Sequence, residues 1–241
     1  MCSIILSIGA NGVFAAANRD EMVNRPWEAP AEYWPGICSG ICGGRDVLAG
    51  GTWLALNRHG VLAAVLNRQG TLGPAPGKRS RGELPLLALQ QASAAAGAKT
   101  IGALDAALYR AFNMVLADAE GGIFIRGLGE GRPEILRFSP GVHMVTAGEP
   151  DDFTRVRIAR HLPRFAAAPT AQWGALLADK SGPLEAQLNI DAELHGGFGT
   201  VCASLVNLPR GGAATHDFAA GPPDISTFKR INWGNRDGAD D

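Results

Sequence analysis

The stretch MCSIILSIGANGVFAAANRDE, residues 1–21, decides the fold. Its apolar residues fall in two short runs, Ser3–Gly9 and Val13–Asn18, split by Asn11-Gly12. Asn-Gly between short apolar runs is the strongest local hairpin signal, because both residues tolerate the positive φ of a tight primed turn. The two runs are therefore predicted to pair as antiparallel strands. The same stretch resembles a secretory leader, with an apolar core followed by Ala15-Ala16-Ala17. It lacks a basic segment ahead of that core, and Asn11-Gly12 interrupts it, so a cytoplasmic location is expected.

Cys2 stands directly behind the initiator position. Removal of Met1 would make it the first residue. A terminal cysteine carries a nucleophile and a base together, since an α-amine of pKa about 7.7–8.0 can accept the thiol proton near neutral pH. With Met1 retained there is no free α-amine and this chemistry is off. It also requires a fixed terminus, a cation that favours the thiolate and donors for an oxyanion. The strand predicted from Ser3 would supply the fixed terminus. A thiol without such surroundings is more often a small buried apolar group.

Composition narrows the alternatives. The 241 residues suit one large domain or two small ones, and 32 Gly with 15 Pro between apolar runs favour a turn-rich β or α+β protein. Lys+Arg 22 against Asp+Glu 23 leaves no basic excess to neutralise phosphates, so nucleic acid is not an expected partner. No apolar run approaches the ~20 residues needed to span a bilayer, so no integral membrane segment is expected. Four cysteines, Cys2, Cys38, Cys42 and Cys202, are too scattered for a disulfide scaffold. Cys38 and Cys42 form a C-x₃-C with no histidine at ligand spacing and read as unpaired loop thiols, and no metal site is predicted.

Beyond the first hairpin, Arg19 to Gly50 is polar and Pro-rich and is predicted as loop, with Gly43-Gly44 and Gly50-Gly51 as loop glycines. Thr52–Asn57 and Val61–Asn67 read as a second hairpin around Arg58-His59-Gly60. Ser80-Arg81-Gly82-Glu83 has capping-box form ahead of a helix to about Ala96, and a second helix is expected over Thr100–Phe112. Asn113–Asp118, Ile123–Arg126, Glu134–Phe138 and Val142–Thr146 read as a strand meander. Helices are expected over Asp151–Phe165, with Pro163 ending or bending it, and over Thr170–Asp179 with Thr170 as N-cap. Phe198–Asn207 and Ala213–Phe218 form a closing hairpin. His59 and His161 are expected to face solvent. The order is α+β, with two sheets and helices packed outside them, in a single domain over residues 1–241 that includes a loose polar tail at 234–241.

Asn18-Arg19-Asp20-Glu21 at the end of the second strand carries a further signal. Together with Met1-Cys2, Arg25-Pro26, Gly50-Gly51-Thr52-Trp53-Leu54, Arg81-Gly82-Glu83-Leu84, Phe112-Asn113 and Phe198-Gly199-Thr200, it resembles the NRDE family, also called the transport and Golgi organisation family. These matches span the chain, and the first half is the more specific. The resemblance implies the αββα sandwich of N-terminal-nucleophile (Ntn) hydrolases such as penicillin V acylases and bile salt hydrolases, with two stacked antiparallel sheets flanked by helices. By the same resemblance Cys2 would be the nucleophile, Arg19 would favour its thiolate, Asp20 would hold the α-amine, and the Asn67 backbone N–H would be an oxyanion donor. Asn18, Glu21 and Trp53 are the substrate-binding candidates, although Trp53 and Trp34 by themselves read as packing residues.

Two positions depart from the pattern. Thr146-Ala147-Gly148 stands where relatives often have Ser-Asn, a second oxyanion donor in the acylases, and Gly199-Thr200-Val201 stands where relatives usually have Gly-Thr-Arg. Loss of one such donor typically costs ~10²–10³ in rate, and valine cannot replace a guanidinium contact. Two functions are consistent with this reading. One is an amidohydrolase that cleaves amide bonds of hydrophobic acyl substrates and needs no cofactor. The other, implied by the family, is a carrier of haem or a lipid-like molecule. Haem would be bound non-covalently as cargo, because no C-x-x-C-H attachment motif is present. In both, the partner is a small hydrophobic molecule.

Overall fold

A computed structural model describes residues 2–37 and 40–232. Cys38 of the C-x₃-C pair and the 234–241 tail lie outside the described residues. In chain order the elements are β1 (Ser3–Gly9), β2 (Gly12–Met22), β3 (Trp27–Ala31), β4 (Ile41–Asp46), β5 (Thr52–Asn57) and β6 (Leu62–Asn67). Then follow α1 (Leu84–Ala88), α2 (Ala94–Gly102), β7 (Phe112–Asp118), β8 (Gly121–Gly127), β9 (Glu134–Arg137) and β10 (Gly141–Val145). Last come α3 (Val156–Ala167), α4 (Trp173–Leu177), β11 (Phe198–Pro209), β12 (Thr215–Ala219) and β13 (Lys229–Arg230). No helix among the described residues is long and apolar enough to cross a membrane.

The strands make two antiparallel sheets. One is six-stranded in the order β10-β1-β2-β11-β12-β13, and the other is seven-stranded in the order β3 to β9. Successive residues of a strand point to opposite faces, so a strand covered on both sides is apolar throughout. In β1, Ile4, Leu6 and Ile8 face the second sheet and pack with Leu54, Leu62, Val115 and Phe124. Ile5 faces the other way, onto Ile158, Phe165 and Trp173 of α3 and α4. The outer face of the second sheet, through Ala63, Met114 and Ile125, is covered by Leu84, Leu86 and Ile101 of α1 and α2. The layers run helix, sheet, sheet, helix, which is the αββα arrangement.

The two hairpins and the closing β11–β12 hairpin match the expectation. Other elements correct it. The segment 19–50 is not loop: β2 runs on to Met22, and β3 and β4 extend the second sheet, with Pro30 tolerated because β3 is an edge strand. Gly44 is a strand residue against which the Trp53 ring lies, since a Cβ there would meet the ring at 2.1 Å. Cys42 is buried in β4 and is no loop thiol.

The helix predicted to Ala96 is broken after Ala88. Both amide hydrogens of Asn57 capture the Leu89 and Gln91 carbonyls at 2.9 and 2.8 Å, and Ser93 starts α2 by accepting from the Ala96 N–H. The Ser80 cap bonds Gly82, while Glu83 turns to Arg79 and Tyr109, so the reciprocal capping-box bond is not made. The helix predicted over Thr100–Phe112 ends at Gly102, and Phe112 opens β7 with its ring on the Cβ-less Gly127. β10 leaves the meander to pair with β1 in the other sheet.

The helix expected from Asp151 begins at Val156, because Asp151 accepts the Met144 N–H and Asp152 caps Thr154. It runs past Pro163 to Ala167. The next helix is capped at Pro169 rather than Thr170, is 3-10 over Thr170–Gln172, and gives α4 only to Leu177. His161 is buried on α3, 2.7 Å from the Ala186 carbonyl, and does not face solvent.

Candidate active site

The hairpin register builds the floor of the site. Ser3 pairs with Asn18, and Arg19 pairs with Cys202 of β11, so Cys2 comes beside the Arg19-Asp20 step of β2. The Asp20 backbone brackets the thiol: its N–H donates to Cys2 Sγ at 3.4 Å, and Sγ lies 3.6 Å from its carbonyl oxygen. Burial, and secondarily the Asp20 carboxylate, push the Cys2 thiol up from its ordinary value. The amino terminus, the Asp20 N–H and Arg19 act in the opposite direction but do not prevail.

Asp20 is buried, and its carboxylate is held by groups distant in sequence. Thr200 Oγ1 donates to Oδ1 at 2.7 Å, and Arg157 Nη1 from α3 lies 3.5 Å from Oδ2 and 3.3 Å from Ser3 Oγ. A β-bulge between Thr200 and Cys202 turns Val201 into an apolar cluster with Phe218, Trp27 and Trp53. The Arg19 guanidinium stacks 4.3 Å from the Trp53 ring, and its Nη2 lies 3.6 Å from Asp46 and 3.8 Å from Glu21. Its Nη1 is buried without a hydrogen-bond partner among the described residues.

These groups open into a cleft of about 460 Å³ lined by Cys2, Arg19, Asp20, Glu21, Trp53 and Asn67, among others. Six of the seven predicted residues therefore converge. Asn18 does not reach this cleft. It lines a small apolar cavity of about 20 Å³ between the sheets, and both its amide hydrogens hold the Leu177 and Leu188 carbonyls at 2.9 and 3.0 Å.

Asn113 is a similar clamp. It donates to the Thr146 and Gly148 carbonyls at 2.9 and 2.6 Å and accepts from Arg68 at 2.6 Å. The Ala147 carbonyl accepts the Gln69 N–H at 3.0 Å, which fixes the 146–148 segment against the exit of β6. Ala147 itself is buried within that segment.

Sequence reasoning missed Arg157, Thr200 and Arg81 as site residues. Arg157 is one of four arginines, with Arg155, Arg160 and Arg164, in the helix expected over Asp151–Phe165. Yet Ile158, His161, Leu162 and Phe165 are its buried companions on one helix face, and that periodicity was the available signal. Arg81, quoted in a motif, lines the same cleft as the first-hairpin residues.

The family model described as Transport and Golgi organisation 2 matches residues 1–172. The chain belongs to the Transport and Golgi organisation 2 family. Its relatives include the mouse Transport and Golgi organization 2 homolog, 34% identical over 146 residues, and the human homolog, 32% identical over 146 residues. Each match covers 57% of this chain and 51% of the relative, so the chain spans about half the length of the curated relatives it matches.

Among solved structures, the fold resembles a Caenorhabditis elegans N-acylethanolamine-hydrolyzing acid amidase ortholog. The TM-score is 0.60 at 11% identity, over 85% of this chain and 92% of that one. Penicillin V acylase from Agrobacterium tumefaciens gives 0.55 at 14% identity over 91% and 83%. A conjugated bile acid hydrolase from Clostridium perfringens gives 0.54 at 11% over 97% and 97%. These place the family member on the Ntn-hydrolase fold.

Proposed function

We propose that this chain is an Ntn-type cysteine amidohydrolase acting on amide bonds of hydrophobic acyl substrates, with Cys2 as nucleophile. The observation that carries the reading is the position of Cys2: it immediately precedes a central strand, is bracketed by Asp20, and lies at the cleft of about 460 Å³. The names of two structural neighbours, an N-acylethanolamine-hydrolyzing acid amidase ortholog and a conjugated bile acid hydrolase, support it.

In this reading Met1 is removed and the freed α-amine takes the thiol proton. The thiolate attacks the acyl carbonyl carbon, the C–N bond breaks, and the amine leaves with the proton from the α-ammonium. Water, deprotonated by the same amine, then attacks the thioester. The C–S bond breaks, the carboxylic acid leaves and the thiol is restored. A thiol raised by burial is little ionised at rest, so the base must act as attack occurs. Asp20, fixed by Thr200 and Arg157, orients the α-amine. Arg19 stabilises the thiolate, and the Asn67 N–H stabilises the oxyanion. Glu21 and Trp53 line the substrate path.

Ser3–Asn18 forms two paired strands of the first sheet, and the cytoplasm is the proposed place of action. Intact mass and an acyl electrophile test the reading: Met1 should be absent and Cys2 modified ahead of Cys38 and Cys42. Retention of Met1, or equal labelling of the three thiols, rejects it.

The alternative is carriage of haem or a lipid-like molecule in the same cleft. None of the described histidines lines that cleft, so the soft ligand available to a haem iron is Cys2. Haem titration should then give a saturable one-to-one band that Cys2→Ala shifts. A response equal to that of free haem rejects the carrier.

A further inference from the structure

Successive residues at the end of β6 point to opposite sides of the sheet. Val65 and Asn67 line the cleft, whereas Leu66 packs between the two sheets. Arg68 leaves the strand on the Leu66 side. There Asn113, opposite Leu66 in the β6–β7 register, accepts from Arg68 Nη1 at 2.6 Å. Arg68 Nη2 meets Glu149 at 2.7 Å. The guanidinium is thus held at both ends, by β7 and by the β10–α3 connection.

Both partners are themselves fixed. Asn113 is fully buried, and its two amide hydrogens go to the Thr146 and Gly148 carbonyls, which leaves its oxygen for Arg68. Glu149 Oε2 also meets Arg126 at 2.8 Å. The chain on the far side of Arg68 is tied down as well. The Gln69 N–H donates to the Ala147 carbonyl at 3.0 Å, Arg155 donates to the Gln69 side chain, and Thr71 Oγ1 donates to the Arg68 carbonyl at 2.7 Å.

Asn67 is therefore the last residue between the strand ladder and this anchor. Hydrogen bonds from a guanidinium are of the stronger, charge-assisted kind, and its planar fork sets direction as well as distance. Arg68 holds the strand end from the face between the sheets, and Asn67 is presented to the cleft that Cys2 also lines.

We propose that Arg68 is a positioning residue: through Asn113 and Glu149 it fixes the end of β6, so that the Asn67 backbone N–H stays aimed at the oxyanion formed when Cys2 attacks. The oxyanion rests on the hydrolase reading, whereas the anchoring of Asn67 rests on the Arg68 contacts alone. Such a role acts only on steps that build negative charge on a carbonyl oxygen.

Two reagents separate that role from a merely structural one. With p-nitrophenyl hexanoate, the Cys2 S–C bond forms through a tetrahedral oxyanion, the ester C–O bond breaks and p-nitrophenolate leaves, while the thiol proton passes to the α-amine. Iodoacetamide alkylates the same sulfur by displacing iodide and forms no oxyanion. Single-turnover rates are measured on the full chain, with adducts located by peptide mapping. Arg68→Met should be acylated about 30-fold more slowly and alkylated within about two-fold of the native rate. Arg68→Lys, which keeps a cation but not the fork, should fall between, and Glu149→Gln should slow acylation about three-fold. Equal loss with both reagents, or acylation of Arg68→Met slowed less than about ten-fold, overturns the positioning role and leaves the hydrolase reading intact. A native chain alkylated at Cys2 but not acylated there overturns both. Should Arg68→Met not fold, Glu149→Gln decides, and unchanged acylation in it overturns the role.

Discussion

Cys2 and Cys202 flank Arg19 across neighbouring strands of one sheet, and their surroundings set them apart. Both thiols are raised by burial. Cys202 is 1% exposed, beside Val201 and Phe218, and meets only the small inner cavity of about 20 Å³. Cys2 meets that cavity too, but also the cleft of about 460 Å³, and the Asp20 backbone holds its sulfur. Neither thiol is reactive by residue type. Access to the larger cleft makes the difference, and the hairpin register gives it to Cys2 and not to Cys202.

The comparison breaks most visibly at the thiols themselves. Cys2→Ala should lower any amidase turnover at least ~10³-fold, the scale on which loss of a catalytic group registers. Steady-state kinetics on an N-acyl amide check it. The next effect lies under Cys2, at the buried Asp20–Arg157 pair. Asp20→Ala removes the carboxylate from its buried pair with Arg157 and the nearest acceptor of Thr200, so unfolding in urea should show a loss of about 3 kcal/mol.

His216 gives a third test, away from Cys2 but beside the Cys202 strand. It is fully buried, 3.0 Å from Ser204 Oγ, and burial lowers its pKa to about 4 from 6.5. Its folded value is depressed, so the unfolded chain binds the proton first as pH falls. The stability it contributes is complete above pH 6.5 and is lost as pH falls from 6.5 toward 4, by about 3 kcal/mol. Urea midpoints across that window should slope in the native chain and flatten in His216→Phe. The smallest effect is expected at Cys202→Ala, which removes one buried sulfur and should cost about 1 kcal/mol without altering the labelling of Cys2.

The sequence carried the first hairpin clearly, because Asn11-Gly12 and the flanking apolar runs agree at every level. That hairpin alone brings Cys2 beside Arg19 and Asp20. What sequence could not carry was tertiary capture of local pattern. The run after Ser80 is a good helix by composition, but Asn57, far away in the chain, takes the Leu89 and Gln91 carbonyls and breaks it. Asn18 reads in sequence as a substrate-binding residue, whereas Asn18, Asn57 and Asn113 each spend both amide hydrogens on backbone carbonyls. Thr200 reaches Asp20 only because β11 lies against β2, a contact no local window contains. The strands within 19–50 were hidden because glycine at 43 and 44 reads as loop until the Trp53 ring and Ala55 are seen to need the space.

The central claim is that Cys2 is an amino-terminal nucleophile. Intact mass spectrometry of the purified chain, before and after brief exposure to a fatty-acyl electrophile, tests it most directly. The account predicts a mass lacking Met1, followed by a single acyl adduct that peptide mapping locates at Cys2. A chain that keeps Met1, or an adduct spread equally over Cys2, Cys38 and Cys42, would contradict it.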